Sequence, residues 1–97
     1  MVQIGQKNDA GLYHVTFIYN GTPGVHAALA GSFNDWEPEK NPMICKETAG
    51  IYSCDLFLPV GSYEYKLVVD GEWLTDQDNP NFSANDFGTL NSVINIG

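Results

Sequence analysis

The fold of this chain is decided at Tyr65-Lys66-Leu67-Val68-Val69-Asp70-Gly71-Glu72-Trp73, which predicts one β-strand, a two-residue turn and the start of a second strand. The turn is indicated by Asp70-Gly71, because a type I′ turn needs positive φ at both central residues and Asp-Gly adopts that conformation readily. Lys66 stands before the turn and Trp73 just after it. The hairpin therefore holds a cation and an indole close together.

The strand that leads into this turn has two distinct faces. From Ser62 to Val69 the side chains alternate, as in a half-buried strand. One face, which we assign to the core, carries Tyr63, Tyr65, Leu67 and Val69, and the other carries Glu64, Lys66 and Val68. Lys66 is therefore predicted to point away from the core, toward the side on which Trp73 must lie for the two residues to share a site.

Short strands with frequent turn signals account for the rest of the chain. We predict them at Leu12–Tyr19, Val25–Ala30, Met43–Glu47, Ile51–Leu58, Glu72–Thr75 and Thr89–Ile96. No segment has a sustained helical period, so the predicted fold is an all-β sandwich of two antiparallel sheets with seven or eight strands. Residues 1–11 are predicted to be a loose lead-in or linker, residues 12–97 the single sandwich domain, and Asp76–Gly88 a long loop.

The composition excludes several classes of partner. The formal net charge is −8, and the chain has four lysines but no arginine. Nucleic acids and anionic membranes are excluded, because binding to either needs clustered positive charge. A neutral ligand is compatible with the acidity. No apolar run is long enough to cross a membrane and no secretory signal is present, so we expect a cytoplasmic chain or a domain of a longer protein.

Cysteine and histidine spacing predicts no metal site, and we expect no cofactor. The two cysteines, Cys45 and Cys54, form no Cys-x-x-Cys motif. If a turn pairs Glu47 with Tyr52, Cys45 lies opposite Cys54; we expect reduced thiols there, and a disulfide only if the Cβ atoms come within about 4.5 Å. Asp76–Asn81 resembles a calcium loop but lacks its glycine and its glutamate, so we expect a solvated loop.

Catalytic motifs are absent from the sequence. The twelve acids supply many carboxylate pairs, but their spacing singles out none for glycoside hydrolysis. There is no Gly-x-Ser-x-Gly nucleophile motif, and His14 and His26 lie within strand patterns. We therefore predict that the chain is not an enzyme, and an independent hydrolase is the least favoured alternative.

The two tryptophans indicate a binding site. Trp36 follows a run of turn-forming residues and Trp73 lies just past a hairpin turn, so neither fits a core face. An exposed indole can stack on the flat C–H face of a sugar ring, whose hydroxyls then need polar partners at the rim. Lys66, Thr89 and Asn91 can supply those partners. The alternative is that both indoles pack inside a small sandwich.

Four motifs resemble the carbohydrate-binding modules of family 48. They are Leu29-Ala30-Gly31-Ser32-Phe33-Asn34-Asp35-Trp36, Gly61-Ser62-Tyr63-Glu64-Tyr65-Lys66, Val69-Asp70-Gly71-Glu72-Trp73 and Gly88-Thr89-Leu90-Asn91-Ser92-Val93-Ile94. The family includes the glycogen-binding domain of the AMP-activated protein kinase β subunit and the N-terminal domains of isoamylase and branching enzymes. The resemblance covers residues 25–96 and implies an early-set, immunoglobulin-like sandwich that binds α-1,4-glucan.

The resemblance also implies a role for individual residues. Trp36 and Trp73 match the stacking tryptophans of the glycogen-binding domain, and Lys66 matches its hydroxyl-binding lysine. Thr89 and Asn91 match the polar residues of its last strand. These are the residues that the chemistry of the side chains had already indicated.

Phe87 departs from the family pattern. It stands where the glycogen-binding domain has a leucine that inserts into the ring of a cyclic glucan. Phenylalanine is flatter and wider than leucine, so we expect Phe87 to add a stacking surface at the edge of the site.

These observations predict a module that binds α-glucans such as glycogen, starch or maltooligosaccharides, attached to or working with a catalytic domain in the same or another chain. The rival hypothesis is a docking module, in which the same fold holds a catalytic domain or a kinase partner without binding sugar. An exposed apolar patch away from the tryptophans would favour the rival.

Overall fold

The fold is known from a computed structural model that describes residues 2–46 and 50–97. The described residues form nine strands and one turn of 3-10 helix. The strands are β1 (Val2–Lys7), β2 (Tyr13–Asn20), β3 (Ala27–Gly31), β4 (Ile44–Lys46), β5 (Ile51–Leu58), β6 (Gly61–Val69), β7 (Glu72–Leu74), β8 (Phe82–Ala84) and β9 (Leu90–Ile96), and the helical turn is Pro38–Lys40.

The strands form two antiparallel sheets, which confirms the predicted all-β sandwich. The first sheet has the strand order β1-β2-β5-β4. The second sheet has the order β3-β6-β9-β8, and β7 pairs with β6 as well. The inward faces of β2 and β5 in the first sheet and of β3, β6 and β9 in the second supply the buried apolar residues. One core therefore lies between the sheets.

Aromatic packing joins the two sheets at the centre of this core. The Phe17 ring of β2 contacts the Tyr65 ring of β6 edge to face, with 5.0 Å between ring centroids. Tyr65 and Leu67 belong to this core, and Tyr63 and Val69 pack against it. Lys66 and Val68 lie on the other face of β6, where they are also buried. The predicted division of β6 into a core face and an outward face is therefore confirmed.

The hairpin turn that follows β6 also has the predicted geometry. Asp70 and Gly71 have φ values of +50° and +82°, the signs that a type I′ turn requires. The turn is joined to the residue just before β3, because the Asp70 N–H donates to the His26 carbonyl oxygen over 2.8 Å and the His26 N–H donates to Asp70 Oδ1 over 2.9 Å. These bonds fix the position from which β7 starts.

The N-terminal segment differs from its prediction. Val2–Lys7 form β1 and pair with β2, with Ile4 opposite Val15, where the sequence predicted a loose lead-in over residues 1–11. Apart from Val2, the side chains of β1 are exposed. The strand is held by backbone pairing and lacks the alternation that burial imposes, so the sequence gives no strand signal. The domain boundary at residue 12 stays a prediction.

The loop predicted over Asp76–Gly88 contains a short strand. Phe82–Ala84 form β8 at the edge of the second sheet, paired with β9, and all three side chains are exposed. A three-residue edge strand buries too little to leave a pattern in the sequence. Together, β1 and β8 explain why the described residues form nine strands where seven or eight were predicted.

The register of β4 removes the predicted pairing of the two cysteines. Cys45 lies opposite Tyr52, so the conditional pairing of Cys45 with Cys54 is wrong. Cys54 lies opposite Phe17 on the other edge of β5. Burial raises the pKa of the Cys54 thiol above its ordinary value. Residues 47–49, which include Glu47 and most of the predicted turn, lie outside the described residues.

The start of the loop after β7 is bound to the core, although the sequence predicted a solvated loop. Asp76 is buried, and the Tyr65 hydroxyl donates to its Oδ2 over 2.6 Å. The Asp76 N–H donates to Ser92 Oγ over 3.1 Å, and Asn79 Nδ2 donates to the Tyr65 hydroxyl oxygen over 3.2 Å. Burial and the hydrogen bond to Asp76 raise the pKa of the Tyr65 phenol far above its ordinary value.

Candidate carbohydrate-binding site

A cavity of about 500 Å³ lies against the second sheet. Its lining residues are Trp36, Lys66, Trp73, Asn85, Asp86, Phe87, Thr89 and Asn91. All six residues that the sequence predicted as a site are among them, and the other two, Asn85 and Asp86, were not predicted. The volume lies within the range of small-molecule sites. The structure thus brings the predicted residues together from four separate parts of the chain.

Trp36 reaches the cavity from the loop after β3, which a buried asparagine organises. The Asn34 side chain accepts a hydrogen bond from the Gly31 N–H and donates one to the Leu29 carbonyl oxygen, both over 3.0 Å. The Trp36 N–H then donates to the Gly31 carbonyl oxygen over 3.0 Å. Gly31 admits no side chain, because a Cβ there would lie 2.7 Å from the Glu64 carbonyl oxygen. These hydrogen bonds and the close packing at Gly31 therefore fix the conformation of the loop.

The backbone at Trp36 is strained. Asp35 and Trp36 have φ values of +57° and +59°, in the left-handed region that non-glycine residues rarely adopt. Such a conformation costs on the order of 1 kcal/mol or more for each residue and persists only where the surroundings enforce it. The hydrogen bonds of Asn34 enforce it here. Residues held in this way are concentrated at functional sites.

Lys66 lies where the edge of β6 passes from one partner strand to another. On the edge opposite β3, β9 pairs with residues 61–65 of β6 and β7 pairs with residues 67–69. Lys66 Nζ donates to the Leu90 carbonyl oxygen over 2.9 Å, and Thr75 Oγ1 donates to the same oxygen over 3.0 Å. Only 9% of Lys66 is exposed, so its alkyl stem is fixed and its ammonium is held at the cavity wall.

Trp73 and Asn91 share the outward face of the second sheet with Lys66. Trp73 lies opposite Val68 in the register, and Val68 is on the same face of β6 as Lys66. Asn91 precedes the inward-facing Ser92, so it points outward. Trp73 is 46% exposed, which rules out the alternative that this indole is packed inside the sandwich. The site is therefore built on the face that the core leaves open.

Asn85 organises the loop between β8 and β9. Its Oδ1 accepts from the N–H groups of Phe87 and Thr89 over 2.9 and 3.1 Å. Its Nδ2 donates to Thr89 Oγ1 over 2.7 Å and to Asn91 Oδ1 over 3.1 Å. One side chain thus positions three of the predicted site residues. The available sequence signal was an asparagine at the start of a short turn containing Gly88.

Asn91 and Phe87 present contrasting surfaces to the cavity. Asn91 is buried and donates to Glu64 Oε1 over 3.2 Å, so its amide is held in one orientation. Phe87 lies in the loop between β8 and β9 and is 91% exposed. An aromatic side chain with so little protein contact gains free energy when another molecule covers it. The cavity thus combines fixed polar groups with an exposed aromatic edge.

Residues 13–97 match the family described as the glycogen recognition site of AMP-activated protein kinase. The chain belongs to this family. It is 30% identical over 95 residues to the β-1 subunit of 5'-AMP-activated protein kinase from Rattus norvegicus. Those residues make up 98% of this chain and 33% of that protein. The predicted resemblance is confirmed.

Other family relatives place the domain in different proteins. The β-2 subunit of 5'-AMP-activated protein kinase from Homo sapiens is 34% identical over 73 residues, which cover 75% of this chain and 25% of that protein. Phosphoglucan phosphatase LSF1, chloroplastic, from Arabidopsis thaliana is 29% identical over 99 residues, which cover all of this chain and 16% of that protein. The chain thus spans about a third or less of each of these relatives.

The described part of the chain has neither a metal centre nor a membrane helix. Within residues 2–46 and 50–97, no group of three or more His, Cys, Asp or Glu side chains is arranged to hold a metal ion. In the same residues, no helix is long and apolar enough to cross a membrane.

Proposed function

We propose that this chain is a non-catalytic module that binds α-1,4-glucans such as glycogen, starch and maltooligosaccharides. One observation carries the proposal: a single cavity is lined by all six residues that sugar chemistry and the family pattern had indicated. Membership of a glycogen-recognition family supports the same ligand class. The net charge of −8 fits a ligand that carries no charge of its own.

Each part of the cavity has a role in binding a glucan. The indoles of Trp36 and Trp73 stack on the apolar faces of glucose rings, which buries area on both partners. Lys66 donates to sugar hydroxyls, since its ammonium has three N–H groups and Leu90 accepts from one of them. Thr89 and Asn91 add hydroxyl and amide partners at the rim, and Phe87 covers the edge.

The direct test is a calorimetric titration with maltoheptaose, with β-cyclodextrin as a second ligand. We expect a dissociation constant in roughly the micromolar to millimolar range, because each hydrogen bond to a well-hydrated sugar contributes little net free energy. Trp73→Ala should weaken binding at least about tenfold, since an exposed aromatic anchor is removed. Its folding should be unaffected, as judged by thermal unfolding.

Phe82→Ala is the matched control for this substitution. Phe82 is an exposed aromatic residue of β8 that does not line the cavity. Its replacement should leave the affinity unchanged. Folded wild-type protein that binds neither sugar, or a folded Trp73→Ala protein with wild-type affinity, would refute the proposed function.

The non-catalytic character is tested separately with soluble starch. Twelve acids leave many possible carboxylate pairs, but Asp86 is the single carboxylate among the described residues of the cavity wall. Glycoside hydrolysis ordinarily needs two carboxylates on either side of the scissile bond. We expect no increase in reducing ends when the chain is incubated with starch; a steady increase would make it a hydrolase.

A second candidate function is docking to another protein, and one observation favours it. Three apolar side chains on the outward face of the first sheet are exposed: Ile44, Ile51 and Phe57. This face lies away from both tryptophans, as the rival hypothesis requires. The partner would be a catalytic domain in the same or another chain. If docking is the sole function, maltoheptaose will not bind.

The cytoplasmic location predicted from the sequence stays part of this proposal. The net charge of −8 is compatible with it. The name of one relative assigns that protein to the chloroplast. Imaging of the fluorescently tagged full-length gene product tests the location, and accumulation in an organelle would contradict it.

A further inference from the structure

A second cavity shares Trp73 with the site described above. It has a volume of about 480 Å³ and lies where β2 of the first sheet approaches β7 of the second. Trp73 and Tyr19 are its aromatic lining residues, and Leu67 and Leu74 add apolar surface. Trp36, by contrast, lines only the first cavity. Trp73 therefore lines both cavities.

The Tyr19 ring, which belongs to the second cavity, is fixed in place. The Tyr19 ring packs against the Tyr52 ring, with 6.0 Å between centroids. It also lies over Gly21, where an added Cβ would come within 2.4 Å of the Tyr19 ring. The glycine therefore makes room for the ring. An aromatic ring held in this way is suited to a flat ligand that has an apolar face.

Polar groups complete the second cavity. Asn20 and Gln77 are exposed amides among its lining residues, and each amide can donate to and accept from a hydroxyl. Asp76 also lines the cavity, but its carboxylate is buried and accepts from the Tyr65 hydroxyl and from the Asp78 N–H. These internal bonds hold the base of the cavity rigid. Aromatic and apolar lining residues together with exposed amides match a sugar rather than a purely apolar ligand.

We propose that this second cavity is a glucan subsite, occupied by the part of an α-glucan chain that continues past Trp73. The inference rests on the proposed function, since the first cavity must hold the other part of the chain. Short oligosaccharides fill only one cavity, whereas longer chains contact both. The chain length that binds best is then set by Asn20 and Gln77 as well as by the residues of the first cavity.

The test is a pair of titrations, with maltotriose and with maltodecaose, on wild type and on Asn20→Ala/Gln77→Ala. Longer chains also offer more ways to occupy the first cavity, so the informative quantity is the change caused by the substitutions. We expect the double variant to lose roughly fivefold or more of its affinity for maltodecaose, because two hydrogen-bonding partners are removed. The ratio of the two affinities should fall accordingly.

Two further variants make the outcomes distinguishable. Asn95→Ala replaces an exposed asparagine that lines neither cavity and should bind both sugars as wild type does. Trp36→Ala should weaken the binding of both sugars. If Trp36→Ala does so and the folded double variant keeps its full affinity for maltodecaose, the second subsite is refuted and the proposed function stands. If wild type binds neither sugar, both are refuted.

Discussion

Two asparagines of this protein hold binding residues in place, a role that their position in the sequence does not indicate. Asn34 and Asn85 are ordinary turn residues in the sequence, yet the first holds the strained backbone of Trp36 and the second holds the loop of Phe87 and Thr89. Rigid placement of the binding groups reduces the entropy lost when a ligand binds. Much of the affinity should therefore depend on side chains that hold the binding groups in place through hydrogen bonds within the protein.

Asn85 provides the clearest test at this scale. Asn85→Ala removes four hydrogen bonds that position the loop, and we expect about tenfold weaker maltoheptaose binding by calorimetry. Asn85→Asp keeps acceptors for the two backbone N–H groups but loses the donations to Thr89 and Asn91, so its affinity should be intermediate. Equal affinities for the alanine variant, the aspartate variant and wild type would contradict the positioning role.

At the scale of the strand, β6 serves both sides of the second sheet. Its inward face includes Tyr65, which anchors the loop of Asp76, and its outward face includes Lys66 at the cavity. The change of partner strand along its edge creates the position that Lys66 occupies. Loss of packing at Tyr65, on the inward face of β6, would therefore disturb the cavity on the outward face of the same strand.

The buried Tyr65 phenol predicts how stability depends on pH. Its pKa is raised in the folded protein, chiefly by burial and then by the hydrogen bond to Asp76, while in the unfolded chain it is about 10. Above that pH the unfolded state releases a proton that the folded state keeps. The contribution of Tyr65 is thus complete below about pH 10 and falls by about 1.4 kcal/mol for each further pH unit.

Urea unfolding at pH 9, 10 and 11 measures this dependence. The comparison of wild type with Tyr65→Phe at each pH isolates the contribution of Tyr65. Wild type should be the more stable protein at pH 9, since the variant leaves buried Asp76 without its hydroxyl donor. The difference should narrow above pH 10. Parallel stability curves would mean that the phenol is not held in its protonated form.

Elements differ in how far the sequence predicts them. Strands with one buried face, such as β2, could be predicted because burial imposes a two-residue period. By contrast β1 and β8 are held mainly by backbone pairing and carry no such period, so they were missed. The residues of the site could be named from side-chain chemistry and family pattern. Their supports, Asn34 and Asn85, make hydrogen bonds within a few residues along the chain, but asparagine is common in turns, so its presence did not single out these two positions.

The whole molecule combines a strongly acidic surface with a site for a neutral ligand. Its net charge is −8, so a binding mode based on charge attraction would respond strongly to salt. Stacking and hydrogen bonds to neutral hydroxyls are screened very little. We therefore expect the maltoheptaose dissociation constant to change less than about twofold between roughly 50 and 500 mM NaCl. A steep salt dependence in calorimetry would indicate that charge attraction dominates.

The two outward faces of the sandwich have opposite orientations. The cavity proposed to bind glucan opens on the second sheet, while Ile44, Ile51 and Phe57 are exposed on the first. A molecule bound to a glycogen particle in the proposed way turns these apolar side chains toward the surrounding solution. A glycogen particle covered by such molecules would display apolar side chains on an otherwise hydrophilic surface. One molecule could then bind sugar on one face and a second protein on the other at the same time.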